Sequence, residues 1–385
     1  MNLSRRQFIA ATACAAPLAL APRLGQAADP WRRTLVQIEL NGGNDGLNTV
    51  IPFADPLYRE MRPKLAIARD KTIQLDERLG LHPNLAPLAP LWRDGHMAIA
   101  LGVGYPQPNL SHFRSINIWE TASNSARTFE DGWIARLFAE NRPSRALPAD
   151  GIVLGRNQPG PLSGEAARVI ALKTLKALKP HGAEAAPASA MALNPGLAHV
   201  VETQTQMELT ERRLVERNLQ SLNFTEPFPG HAFGQQMETA ARLIVGGSGV
   251  PVIKCSLSGF DTHSNQPGRH AKLLGELAEG IAAFAQAIKA AGAWNRVLVM
   301  TYAEFGRRPR ENASGGTDHG TAAPHFLIGG RVRGGFHGEQ PPLDRLAGKN
   351  LAHRIDFHEI YAAVARNWWG LKGDFLNARP LPVLI

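Results

Sequence analysis

Cysteine is nearly absent from this chain: two in 385 residues, Cys14 and Cys255. Cys14 lies in a segment read below as a removable leader. Cys255 is then alone, and no internal disulfide can form even where the compartment permits one. Long apolar runs are scarce too. The run Ile9–Ala21 is Ala-rich and shorter than the roughly 20 residues a bilayer requires, and no second run predicts a membrane helix. Basic stripes interleaved with aromatics are also missing. The formal net charge is +9, but the lysines and arginines are scattered and Arg5, Arg6 and Arg23 belong to the leader. Nucleic acid is therefore excluded as a main partner.

Export is the first thing the sequence does specify. Arg5 and Arg6 sit in Ser4-Arg5-Arg6-Gln7-Phe8-Ile9, a charged start before the mild apolar run, and Gly25-Gln26-Ala27-Ala28 closes it with small residues. This predicts a twin-arginine signal peptide over residues 1–28, a translocase partner during export, and a periplasmic or secreted protein without stable membrane insertion. What remains, residues 29–385, is long enough for one large domain, and 44% hydrophobic residues suffice for a large core.

The fold class follows from alternation. Thr34–Leu40, Met97–Val103, Gly151–Gly155, Pro251–Leu257, Arg296–Tyr302 and His325–Ile328 are short β-rich runs. Between two of them, Arg269–Ala291 carries Leu273, Leu277, Ile281, Phe284 and Ile288 on one helical stripe. A strand, a helix and a strand joined by a crossover of this length predict parallel pairing with a right-handed connection. The expectation is an α/β three-layer sandwich with a mostly parallel central sheet. A mostly helical insertion is expected at about 165–245.

In such sheets ligands bind beyond the carboxyl ends of the strands, and the polar residues gather there. The loop after the first strand carries Asp45; the loop after Met97–Val103 leads to Ser111. Asp261 and His263 follow Pro251–Leu257, Glu304 ends Arg296–Tyr302, and Asp318 and His319 come next. Each has a plainer reading, Ser111 as a helix N-cap above all. Their coincidence at one edge points to one or two divalent metal ions of the zinc or manganese class, because unneutralised carboxylates in such number repel one another.

The stretches LNGGNDGLNTVIP, PNLSHF, GFDTHSNQ, AEFGRRPREN, GTDHG and HFLIGGRVRGG resemble the exported bacterial family of domain of unknown function 1501, over about residues 31–372. That family is similar to the alkaline-phosphatase-like superfamily. The resemblance implies a mostly parallel sheet, two divalent metals, and Ser111 as nucleophile at a helix start. It implies Asp45 as a ligand of one metal, and Asp261 and His263 as ligands of the second. Two alignments compete for the superfamily's Asp-His pair: Asp318-His319, or Glu304-Phe305 with His319 completing the second metal. The second is preferred, with His325 and His337 as spare candidates; it puts Phe305 where a histidine is usual and implies a weakened first metal. Arg114, one turn from Ser111, would clamp an oxygen of an anionic substrate or else be an ordinary exposed helix arginine. The leading function is a metal-dependent hydrolase of a phosphate-type ester. The alternatives are a non-catalytic binding or assembly protein on the same fold and, disfavoured because Ser111-His112-Phe113-Arg114 lacks the modification signal, a sulfatase.

Overall fold

A computed structural model describes residues 29–143, 147–172 and 219–385. The expected leader, and residues 173–218 within the expected insertion, lie outside the described residues. At the borders of that stretch, Val169–Leu172 is an edge strand and Ala232–Val245 a helix packed against the sheet.

The main sheet runs in the order Gly335–His337, Met97–Gly104, Ala323–Gly329, Val297–Tyr302, Thr34–Asn41, Val252–Ser258, Gly151–Leu154, Val169–Leu172. Thr34–Asn41 pairs in parallel with Val252–Ser258 on one side and Val297–Tyr302 on the other. Ala323–Gly329 is antiparallel to both of its neighbours. The expected α/β, mostly parallel architecture is therefore the observed one.

Burial on both faces explains why these strands read as near-continuous apolar runs. Val36, Ile38 and Leu40 face one core, with Phe284 and Ile288 of the helix Gln266–Ala290 and the helix Ala232–Val245. Leu35, Leu298 and Met300 face the other, with the helices His112–Thr121, Trp133–Glu140 and Phe357–Ala362. There Trp119 stacks on Phe357 at 4.4 Å and Trp133 on Tyr361 at 4.3 Å. The second core also holds charge: Lys254 Nζ lies 3.0 Å from Glu39 Oε2 and 3.4 Å from Glu120 Oε1, and donates to the Gln158 carbonyl. Cys255 is fully buried, and burial pushes its thiol up to about 12, which keeps it unreactive. Among the described residues no helix is long and apolar enough to cross a membrane.

The carboxyl ends of Thr34–Asn41, Met97–Gly104, Val252–Ser258 and Val297–Tyr302 share one edge, and Ala323–Gly329 starts from it. The loops there are tightly nested. A Cβ on Gly42, which has φ +115°, would fall 2.4 Å from the Asp261 amide nitrogen. Gly42→Ala is expected to lower stability by more than about 2 kcal/mol, since it adds that clash to a backbone conformation disfavoured by about 1–2 kcal/mol for a residue with a Cβ. Thermal unfolding checks this; an unchanged midpoint contradicts the close packing of the two loops.

Candidate metal centre

The helix His112–Thr121 begins at this edge, with Ser111 in the N-cap position. Ser111 is the N-cap by position, but its side chain makes no capping hydrogen bond and the residue is exposed. The residue after it enters the centre instead. Ligand atoms of His112, Asp261 and His319 lie within 4.8 Å of one another.

The proton on each imidazole follows from its neighbours. His319 Nδ1 is 2.9 Å from the Leu110 carbonyl, which only accepts, so the hydrogen sits on Nδ1. His112 Nδ1 is 2.8 Å from Glu304 Oε1 and is likewise the protonated nitrogen. Each ring is left with its Nε2 lone pair facing Asp261: His319 Nε2 at 3.2 Å from Oδ1 and His112 Nε2 at 3.4 Å from Oδ2. His263 Nε2 crowds the same space, 2.9 Å from Asp261 Oδ1 and 3.0 Å from His319 Nε2. For nitrogen and oxygen ligands about 2.0–2.2 Å from a tetrahedral zinc ion, neighbouring ligand atoms lie roughly 3.3–3.5 Å apart. The donor set fits a zinc-class cation: imidazoles whose distal nitrogens are hydrogen-bonded, and one carboxylate. Phe305 lines the site, its ring 4.5 Å from that of His319 and 4.9 Å from that of His112.

Burial alone would push the Asp261 carboxyl up. Hydrogen bonding and charge from Arg307, with help from His319 and His263, overcome this and hold it at about 2. His112 is raised, chiefly by its bond to Glu304. His319 is lowered, mainly by burial.

The expected ligands Asp45, Glu304 and Asp318 stand apart from the cluster of His112, Asp261 and His319. Asp45 does not join the centre: it is fully buried and bidentate with Arg62, Oδ2 to Nη1 at 2.6 Å and Oδ1 to Nη2 at 2.9 Å, and Oδ2 also accepts from Gln266. Glu304 is present but stands behind His112; its Oε1 also accepts from the Gly42 amide, and Oε2 is buried without a partner among the described residues. Asp318 stays at the rim on Arg308, 3.8 Å from His263 Nδ1, too far for a hydrogen bond. Arg114 turns away, donating to Asn117 and to the carbonyls of Asn124 and Arg127, as an ordinary helix arginine would. Of the spare histidines, His325 is buried against Trp119 and His337 bonds the Arg333 carbonyl. His112 and Arg307 lie in PNLSHF and AEFGRRPREN, but only their long-range partners, Glu304 and Asp261, mark them as site residues.

Residues 96–367 match the family described as "Protein of unknown function (DUF1501)". The chain belongs to that family. No curated protein matches its sequence. Solved structures of similar fold include the lipoteichoic acid synthase LtaP from Listeria monocytogenes, at 9% identity and TM-score 0.37 over 85% of this chain and 74% of that one. Phosphonoacetate hydrolase from Sinorhizobium meliloti 1021 matches at 12% and 0.34, over 75% and 60%. A putative sulfatase from Bacteroides thetaiotaomicron VPI-5482 matches at 9% and 0.36, over 92% and 76%. Likeness this distant transfers no residue's role to the DUF1501 chain.

Metal analysis is expected to find one zinc-class ion per chain, lost in Asp261→Asn and His112→Ala and kept in Asp45→Asn and Asp318→Asn. Glu304→Gln should weaken binding by about 10–100-fold, as loss of a carboxylate behind a ligating histidine does. Two ions, one of them lost in Asp45→Asn, would restore the two-metal plan. In metal-free protein, the depressed Asp261 carboxyl contributes stability above about pH 4 that is lost as the pH falls towards its folded value of about 2. Acid titrations of wild type and Asp261→Asn should differ in that window and run parallel above it.

Proposed function

We propose that the protein is an exported hydrolase of a phosphate-type ester, working with a single zinc-class ion held by His112, Asp261 and His319. The observation that carries this is the convergence of two imidazole Nε2 atoms on one carboxylate, each ring with its other nitrogen already hydrogen-bonded. Three protein ligands leave a coordination position open, the pattern of catalytic rather than structural sites, and Asp261 and His263 are each nearly half exposed to solvent. When bound, the ion would polarise the ester oxygen and acidify a coordinated water or hydroxyl.

The chain's own residues do the rest. Arg307 holds Asp261 through Oδ1 at 2.6 Å. Glu304 and Leu110 fix the two rings so that their lone pairs stay available. His263 can take up or return a proton at Nε2, with the Asp318 carboxylate near its other nitrogen. Ser111 is the candidate nucleophile, and the helix it opens has no side-chain cap on its first amides, so these favour an anionic ester oxygen. Phe113 is 89% exposed on that first turn and offers a face to an apolar leaving group.

A non-catalytic binding protein on the same fold is the second reading, and one observation favours it: Arg62 already occupies Asp45, the expected ligand of a first metal. Metal-loaded wild type is expected to hydrolyse p-nitrophenyl phosphate or its diester. Ser111→Ala should lose at least about tenfold in kcat/KM with its metal retained, and Asp261→Asn should lose both metal and activity. No turnover by metal-loaded wild type decides for the binding protein. Equal turnover by Ser111→Ala removes the serine from the mechanism and leaves coordinated water as nucleophile.

A further inference from the structure

The helix that starts at the metal centre ends at a different place. From His112 to its C-cap Ala122 it spans about 15 Å, at about 1.5 Å per residue. Ala122 lines a separate cavity of about 710 Å³, which shares no residue with the metal centre. This volume is in the range that takes small-molecule ligands.

Strain gathers around this cavity. Four non-glycine residues among those described have positive φ, and three of them line it: Gln107 (φ 52°), Ala122 (φ 49°) and Asn377 (φ 43°). Such conformations disfavour residues with a Cβ and tend to cluster at ligand sites. Ser123, 3% exposed on the wall, has a buried hydroxyl with no partner among the described residues.

Two carboxylates and two guanidiniums line the cavity, and they differ in what they already bind. The acidic lining residues are already engaged. Asp356 accepts from the His358 amide and faces His358 Nδ1 at 2.6 Å, and Glu359 accepts from the Asp356 amide. Arg127 and Arg379, also on the lining, pair with no carboxylate among the described residues. The rings of Phe129 and Phe375 are set beforehand by Arg136, whose guanidinium carbon lies 4.7 Å from one centroid and 4.1 Å from the other.

We propose that this cavity is a second binding site, for a ligand with an oxyanion (phosphate or carboxylate) on a polar body the size of a hexose. Arg127 and Arg379 take the oxyanion, which guanidinium forks suit. Gln107, Asn377 and Ser123 meet hydroxyls of the body, which stacks against the preset rings. The site is independent of the hydrolase reading.

Calorimetric titration of the metal-loaded protein tests this, with glucose 6-phosphate, glucuronate, glucose and inorganic phosphate as probes. Glucose 6-phosphate or glucuronate should bind at least about tenfold tighter than glucose and than inorganic phosphate. The double variant Arg127→Gln/Arg379→Gln, altered only at exposed positions, should lose at least about tenfold. Asp261→Asn, or His112→Ala if that variant does not fold, should bind as wild type does. Which charged probe binds better tells phosphate from carboxylate. The proposal is overturned if neither binds up to about 10 mM, if the arginine variant binds equally, or if binding disappears with the metal ligands.

Discussion

The guanidinium of Arg307 is the contact on which the rest of the site depends. It is buried, and it donates to the carbonyls of Gly42, Gly43, Phe260 and Thr317 and to the carboxylate of Asp261. Those acceptors come from three segments far apart in the sequence. Only a planar fork with five donors can hold so many acceptors at once, and a lysine ammonium could not. Arg62 repeats the device a short distance away, bridging Asp45 and Asn48 to the carbonyls of Arg308 and Pro309. Between them the two arginines brace the hairpin Arg307–Glu311 and Thr317–His319, and that hairpin delivers His319.

This arrangement revises the physical case for a metal. Gathering carboxylates at one edge requires positive charge, but most of that charge is built into the chain. Arg62 neutralises Asp45, Arg307 binds Asp261, and Arg308 meets Asp318. What is left unmet is a set of nitrogen lone pairs crowded against the Asp261 carboxylate. Lone pairs call for a Lewis acid or a proton rather than for bulk charge. A single cation is enough for that, where the resemblance to the alkaline-phosphatase-like superfamily implied two.

Most of the frame was legible in the sequence. Each of the six β-rich runs is a strand, and the helix read as Arg269–Ala291 spans Gln266–Ala290. Strand direction then placed Asp261 and His319 at one edge, since both follow the carboxyl ends of parallel strands. What could not be read was pairing at long range. Nothing near Asp45 announces Arg62, which reaches it from a helix end 17 residues on. Arg114 and His112 stand within three positions on one helix, yet one faces the loop Asn124–Arg127 and the other the centre. Helical spacing assigns both to the first turn and stays silent on which neighbour each finds.

The sheet's central strand has a consequence in time. Thr34–Asn41 is made early, but both of its partners, Val252–Ser258 and Val297–Tyr302, lie more than two hundred residues downstream. At translation rates of about 5–20 residues per second, the ribosome needs roughly ten to forty seconds to produce the first of them. Through that interval Leu35, Val36, Ile38 and Leu40 lie in an apolar segment with both edges unpaired, the kind that aggregates. The middle of the molecule therefore closes only once the C-terminal third of the chain is made, and Met97–Gly104 waits longer still for Ala323–Gly329.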